Sequence, residues 1–128
     1  MISFENFIME DGVPIYIQII RHIKRGAATG VVQNGDELPS RRVLSVMLSV
    51  NPNTVQKAYR LLEEEGLVQS HSGAKSYMVL SEEKRQTIRA QLLEAEAKSV
   101  VVAMKRSGLE KAEAMALLEK FWDREDEE

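Results

Sequence analysis

Residues 40–71 read SRRVLSVMLSVNPNTVQKAYRLLEEEGLVQSH, and the spacing within this stretch decides the fold. Ser40 is a side chain suited to capping a helix. Leu44, Met47 and Leu48 follow at helical steps, which predicts a short helix ending near Leu48 with those three turned inward. Asn51 can cap the next helix while Pro52 takes the first helical position, where its missing N–H costs nothing. Val55, Ala58, Tyr59 and Leu62 then fall on one face before Gly66 stops the helix. Two short helices joined by so tight a turn can pack across each other only if Leu44, Leu48, Val50, Val55 and Ala58 share one small core. That is the spacing of a helix-turn-helix.

The flanks extend the pattern. Upstream, Tyr16, Ile19, Ile20, Ile23 and Ala27 recur at three- and four-residue steps, predicting a helix from Pro14, a good first-turn residue, to a stop at Gly30. Asn34-Gly35-Asp36 is a turn signal before Glu37-Leu38-Pro39. Downstream, the runs 67–71 and 76–80 read as two strands around the tip Ser72-Gly73-Ala74-Lys75. Beyond Leu80 the chain turns helical again. Ser81 can cap a long helix containing Lys84 to Lys105, Ser107-Gly108 breaks it, and a last helix runs from Leu109 to about Trp122. The expected class is mainly α with a small β-hairpin: a winged helix-turn-helix over residues 1–80, then a two-helix tail over 81–128.

Composition narrows the function. The chain has 128 residues, 44% hydrophobic and 29% charged, the balance of a folded globular protein. It contains no cysteine, so disulfides, thiolate metal sites and thiol nucleophiles are excluded together. No Gly-rich phosphate loop or Ser-His-Asp order is present, so an enzyme is not expected, and neither a cofactor nor a metal is. His22 and His71 lie on different elements without the spacing of a ligand cluster. The start of the chain lacks a secretory pattern and no stretch is apolar enough to span a membrane, so a cytoplasmic protein is expected.

The net charge of -3 is unusual for a nucleic-acid binder, but it is unevenly placed. Residues 1–80 hold eight Lys or Arg against eight Asp or Glu, and residues 81–128 hold nine against twelve. On the third helix, with Val55 inward, Asn53, Lys57, Arg60 and Glu64 project outward and Thr54 and Gln56 flank them. Amides there can pair with adenine edges and Lys or Arg with guanine or phosphate. Arg41, Arg42 and Lys75 are placed to reach the phosphate backbone, where counterion release supplies affinity. The same residues also fit a solvated face, with Arg60 pairing with Glu64 and Arg41 and Arg42 pairing with Asp36 and Glu37.

The combined motifs resemble the winged-helix domain of the GntR family. Val50-Asn51-Pro52-Asn53-Thr54-Val55 with Lys57-Ala58-Tyr59 is similar to its short YtrA-type subfamily. Pro14-Ile15-Tyr16-Ile17-Gln18-Ile19, Leu38-Pro39-Ser40 with Arg42, and Leu62-Glu63 with Glu65-Gly66-Leu67-Val68 fit the same pattern. The resemblance implies a repressor that binds a palindromic double-stranded DNA operator as a homodimer, with contacts on Ser40, Arg42, Asn51, Asn53, Thr54 and the wing tip at Gly73. The chain departs from the family in three places. Arg41 stands for an acidic residue, Ser49 for a turn glycine and Lys75 for a second wing glycine.

The tail carries two apolar stripes, one through Ile88, Leu92, Ala95, Val100, Ala103 and Met104, the other through Ala112, Met115, Leu118 and Trp122. Two helices cannot bury both unaided, so pairing with a second copy is expected. A tail of this length has room for a small-molecule effector only at such an interface. Apolar residues at helical spacing are core first and ligand contacts second. The competing reading is a winged-helix protein-protein interaction module without specific DNA binding.

Overall fold

The computed structural model describes residues 1–71 and 75–124. In chain order they form α1 (Ile15–Thr29), α2 (Arg41–Leu48), α3 (Pro52–Glu64), β1 (Val68–Ser70), β2 (Ser76–Met78), α4 (Glu82–Arg106) and α5 (Lys111–Trp122). The mainly helical class with one small antiparallel hairpin is therefore the one observed.

Local chemistry sets the helix ends. The Pro14 carbonyl accepts the N–H groups of Ile17 and Gln18 at 3.1 and 3.2 Å, so Pro14 is the residue just before the first turn rather than within it. Gly30 closes α1 in the left-handed region, φ 85°, donating its N–H to Ala27. Ser40 Oγ accepts the Val43 N–H at 3.1 Å and Asn51 Oδ1 accepts the Asn53 N–H at 2.8 Å, so both expected caps form. Ser49 ends α2 at φ 56° and ψ 46°, and the next N–H, from Val50, returns to the Ser45 carbonyl at 2.9 Å. The turn between α2 and α3 thus keeps a glycine-type backbone with serine in it.

Ile19, Ile23 and Ala27 of α1, Leu44 of α2, and Val55, Ala58, Tyr59 and Leu62 of α3 are fully buried in one cluster. Met47 is not in it: the side chain is 54% exposed, and Ser45 is buried instead. With only two turns, α2 seats the pair Leu44 and Leu48 and leaves Met47 at the edge of its stripe. Ser45 is tolerated inside because its Oγ donates to the Arg42 carbonyl at 2.8 Å. The core also takes in Ile2 and Phe4, which the helical periodicity did not flag. Ile2 N–H donates to the Glu37 carbonyl at 2.9 Å, drawing the N-terminal segment across the domain.

The hairpin pairs Val68 with Met78, Gln69 with Tyr77 and Ser70 with Ser76. The regular strands are shorter than expected, although His71 N–H on the Lys75 carbonyl and Val79 N–H on the Leu67 carbonyl carry the pairing past their ends; Leu67 N–H turns back to Leu62 and Leu80 N–H goes to Asn34 Oδ1. On the other edge of β2, residues 35–38 add a short pairing, with Leu38 N–H on Ser76 and Met78 N–H on Asp36. The segment read as a turn therefore also anchors the wing.

The chain divides into two compact units, Met1–Leu92 and a second beginning at Leu93. The first turns of α4 belong to the former: Ile88 is in its core, and Lys84 Nζ donates to the Gly66 carbonyl at 2.7 Å. In the second unit Val100, Val101, Leu117, Leu118 and Phe121 are exposed, and Trp122 is 82% exposed. Met104, Leu117, Leu118, Phe121 and Trp122 line a shallow concavity of about 400 Å³ there. No helix among the described residues is long and apolar enough to cross a membrane.

Candidate nucleic-acid interface

Helix α3 is divided sharply. Val55, Ala58, Tyr59 and Leu62 are 0% exposed, while Asn53, Gln56, Lys57, Arg60 and Glu64 are all exposed. The outward face carries the expected amides and cations, with Thr54 half-buried at its margin. Asn51 is exposed at the same end, its Oδ1 used by the cap and its amide N–H₂ left as the outward donor. Ser40 likewise accepts one backbone N–H while its hydroxyl keeps a proton to donate.

The cations are not equivalent. Arg42 is exposed in the first turn of α2 and, among the described residues, has no carboxylate partner; Lys75 is exposed at the hairpin. Arg60 pairs with Glu64 at 3.2 Å, as the four-residue spacing predicts. Lys57 Nζ lies 4.1 Å from the centre of the Tyr16 ring on α1. Arg41 departs from expectation. It is half-buried, its Nη2 is 3.3 Å from Glu63 Oε1, and its guanidinium lies over the Tyr59 ring at 5.2 Å. Its partner is thus Glu63 of α3, not Asp36 or Glu37, because the start of α2 leans on the far half of α3. Gly73 lies outside the described residues.

The acidic run Glu63-Glu64-Glu65 is neutralised internally, by Arg41, Arg60 and Lys24 respectively. It therefore subtracts little from the positive character of the helix start. Tyr59 is the buried hub: its hydroxyl donates to the Pro39 carbonyl at 2.6 Å, fixing the approach to Ser40. Burial pushes its hydroxyl well above the usual tyrosine range, and the nearby Arg41 charge opposes that only in part. Tyr16, Tyr59, Glu63 and Ser70 are the supporting residues that sequence reasoning did not single out for the site. Only the strong core signal at Tyr16 and Tyr59 pointed toward them.

His22 and His71 stay apart. His22 Nε2 is 2.8 Å from the Ser3 carbonyl and its ring packs on Phe4 and Phe7, whereas His71 meets Tyr77 edge-on. Among the described residues no group of three or more His, Asp or Glu gathers as a metal site.

A capped two-helix turn, a polar and cationic outer face on its second helix and a hairpin beside it define a transcriptional regulator with a DNA-binding winged helix-turn-helix. Comparison with known proteins agrees. Residues 15–77 match the family described as bacterial regulatory proteins, gntR family. The chain is 35% identical over 100 residues to the HTH-type transcriptional repressor YtrA of Bacillus subtilis, covering 76% of this chain and 75% of that protein. It is 31% identical to the uncharacterized regulator YhcF of the same organism, over 84% of this chain and 89% of that one. Among solved structures, a GntR family transcriptional regulator from Listeria monocytogenes superposes with a TM-score of 0.74 at 29% identity, covering 88% of this chain and 98% of that one. YtrA from Sulfolobus acidocaldarius gives 0.55 at 35% identity, over 74% and 99%. The chain belongs to the GntR family and is similar to its YtrA-type members.

Proposed function

We propose that this protein is a cytoplasmic repressor that binds a palindromic operator as a homodimer. Residues 1–80 form the DNA-binding part and residues 81–128 the pairing region. The carrying observation is the divided α3 helix, whose exposed Asn53 and Lys57 stand opposite a fully buried Val55. In this reading Asn53, Thr54 and Lys57 approach base edges in the major groove. Ser40, Asn51, Arg42, Lys75 and the wing tip at Gly73 serve the backbone. Repression is supported by the similarity to a protein named as a repressor, at 35% identity.

Pairing is supported by the apolar surface of the tail, where Leu117, Leu118, Phe121 and Trp122 are exposed in a single chain. A two-fold axis through such a pair matches a palindromic site. A small-molecule effector would find space at the shallow concavity of the tail.

Selection from a random DNA pool with the purified chain tests the proposal. The expected product is a sequence with two-fold symmetry, bound by a dimer whose affinity falls steeply with salt. A stable 14.5 kDa monomer in sedimentation would remove the homodimer. The exposed Val43, Val46 and Met47 on α2 favour the second reading, a protein-binding module. A flat salt response and no enriched sequence would select it instead.

A further inference from the structure

One carboxylate joins three parts of the DNA-facing surface. Glu63 Oε1, near the end of α3, takes Arg41 Nη2 from the start of α2 at 3.3 Å. The same oxygen accepts the Ser70 hydroxyl, at the root of the wing, at 2.6 Å. Ser70 Oγ is in turn 3.1 Å from Ser76 Oγ across the hairpin, and Ser76 is buried. Arg41 is held from its other side by Tyr59, whose hydroxyl is bonded to Pro39 just ahead of α2.

We infer that Glu63 is a positioning residue that sets the wing against the α2–α3 pair, and that Arg41 is its internal counter-charge rather than a phosphate contact. This inference rests on the DNA-binding reading. The charge arithmetic supports it. Arg41 is half-buried and its Nε is out of solvent, so part of the guanidinium is already withdrawn from the surface. Moving it to a phosphate would leave Glu63 half-buried with its charge unmatched. Arg42, the neighbouring residue, is exposed and without such a tie, so it is the cation available to a phosphate. Both contacts of Glu63 are charge-assisted, and the short one to Ser70, at 2.6 Å, restricts the orientation of the two side chains.

The roles separate by salt dependence. With Lys75 replaced by Ala, so that the wing carries no cationic phosphate contact of its own, a further lost phosphate contact lowers the slope of log affinity against log salt by about 0.9, whereas a misplaced wing lowers affinity at every salt concentration alike. The full-length Lys75→Ala protein and, in that background, its Arg41→Ala, Glu63→Ala, Ser70→Ala and Arg41→Ala/Glu63→Ala variants are titrated on the DNA sequence selected by the wild type. Arg42→Ala serves as the phosphate-contact reference. Arg41→Ala, Glu63→Ala and Ser70→Ala are each expected to weaken binding by roughly tenfold, as loss of a charge-assisted hydrogen bond does, with the salt slope unchanged. The double variant is expected to be no weaker than either single one. Glu63→Gln, which keeps an oxygen for Ser70, is expected to recover part of the loss and serves also if Glu63→Ala does not fold. A slope that falls for Arg41→Ala as it does for Arg42→Ala overturns the inference, as do strictly additive losses. A wild type without salt-steep DNA binding instead overturns the reading beneath it.

Discussion

Lys57, on the outward face of α3, rests its ammonium 4.1 Å from the ring centre of Tyr16 on α1. The contact ties the middle of α3 to a helix placed behind it, and it occupies the side chain proposed to approach a base. Contacts of this kind at exposed sites are worth about 0.5–1 kcal/mol. Reaching a base edge requires giving the contact up, so it stabilises the free protein and opposes binding. Tyr16→Leu is therefore expected to lower unfolding stability by about that amount while raising DNA affinity by roughly two- to fivefold. Tyr16→Phe keeps the ring face and should leave both nearly unchanged. Urea unfolding and binding titrations on the same samples check the opposite signs; a fall in both quantities for Tyr16→Leu counts against the account.

Arg42 and Asn53 are predicted to differ in kind. Arg42 is exposed without a carboxylate partner at the start of α2, and Asn53 is exposed in the first turn of α3. Arg42→Ala should weaken selected and unrelated DNA alike and reduce the salt slope by about 0.9. Asn53→Ala should mostly lower discrimination, by about 1–3 kcal/mol at the base it reads. Parallel titrations on the selected sequence and on a scrambled one separate the two, and the reverse pattern would exchange their roles.

Ser49 adopts φ 56° and ψ 46° to end α2, the one described non-glycine residue with positive φ. The left-handed region costs a residue with a Cβ about 1–2 kcal/mol, and glycine avoids it while losing more chain entropy on folding. Ser49→Gly should thus stabilise the protein, by about 0.5–1 kcal/mol net, and leave the DNA salt slope untouched. Thermal unfolding gives the sign directly, and a lowered midpoint would show that the serine side chain contributes something the geometry does not reveal.

The parts of the fold visible in the sequence are those written in local chemistry. The caps at Ser40 and Asn51 form, and the α3 stripe through Val55, Ala58, Tyr59 and Leu62 is buried, because each depends on neighbours within a turn or two. The burial of Ile2 and Phe4 was not legible: their segment has no periodicity, and the Ile2 N–H finds its acceptor at Glu37, far along the chain. The outward face of α3 could be listed from spacing alone. Which cations on and around it are occupied could not, since Lys57 pairs with Tyr16 of α1 and Arg41 with Glu63 of α3 only once the helices pack. Exposed Met47 marks the complementary error, a residue at helical spacing on a helix too short to bury it.

Tyr59 provides a test of the core by pH. Its side chain is fully buried and its hydroxyl donates to the Pro39 carbonyl at 2.6 Å. Burial raises its pKa above the ordinary value, with Arg41 pulling weakly the other way. An unfolded tyrosine begins to lose its proton near about pH 10, whereas the folded one keeps it. Above that pH the native state holds more protons than the unfolded state, so stability is complete below about pH 10 and falls as pH rises, by up to about 1.4 kcal/mol per pH unit from this group. Tyr59→Phe should remove that alkaline slope. It should also cost about 1–3 kcal/mol at neutral pH, because the Pro39 carbonyl loses its partner in a buried setting. Urea unfolding of both proteins between neutral pH and the alkaline limit measures the difference in slope. Parallel curves for wild type and variant would mean that Tyr59 ionises without opening the core, contrary to its burial and its bond to Pro39.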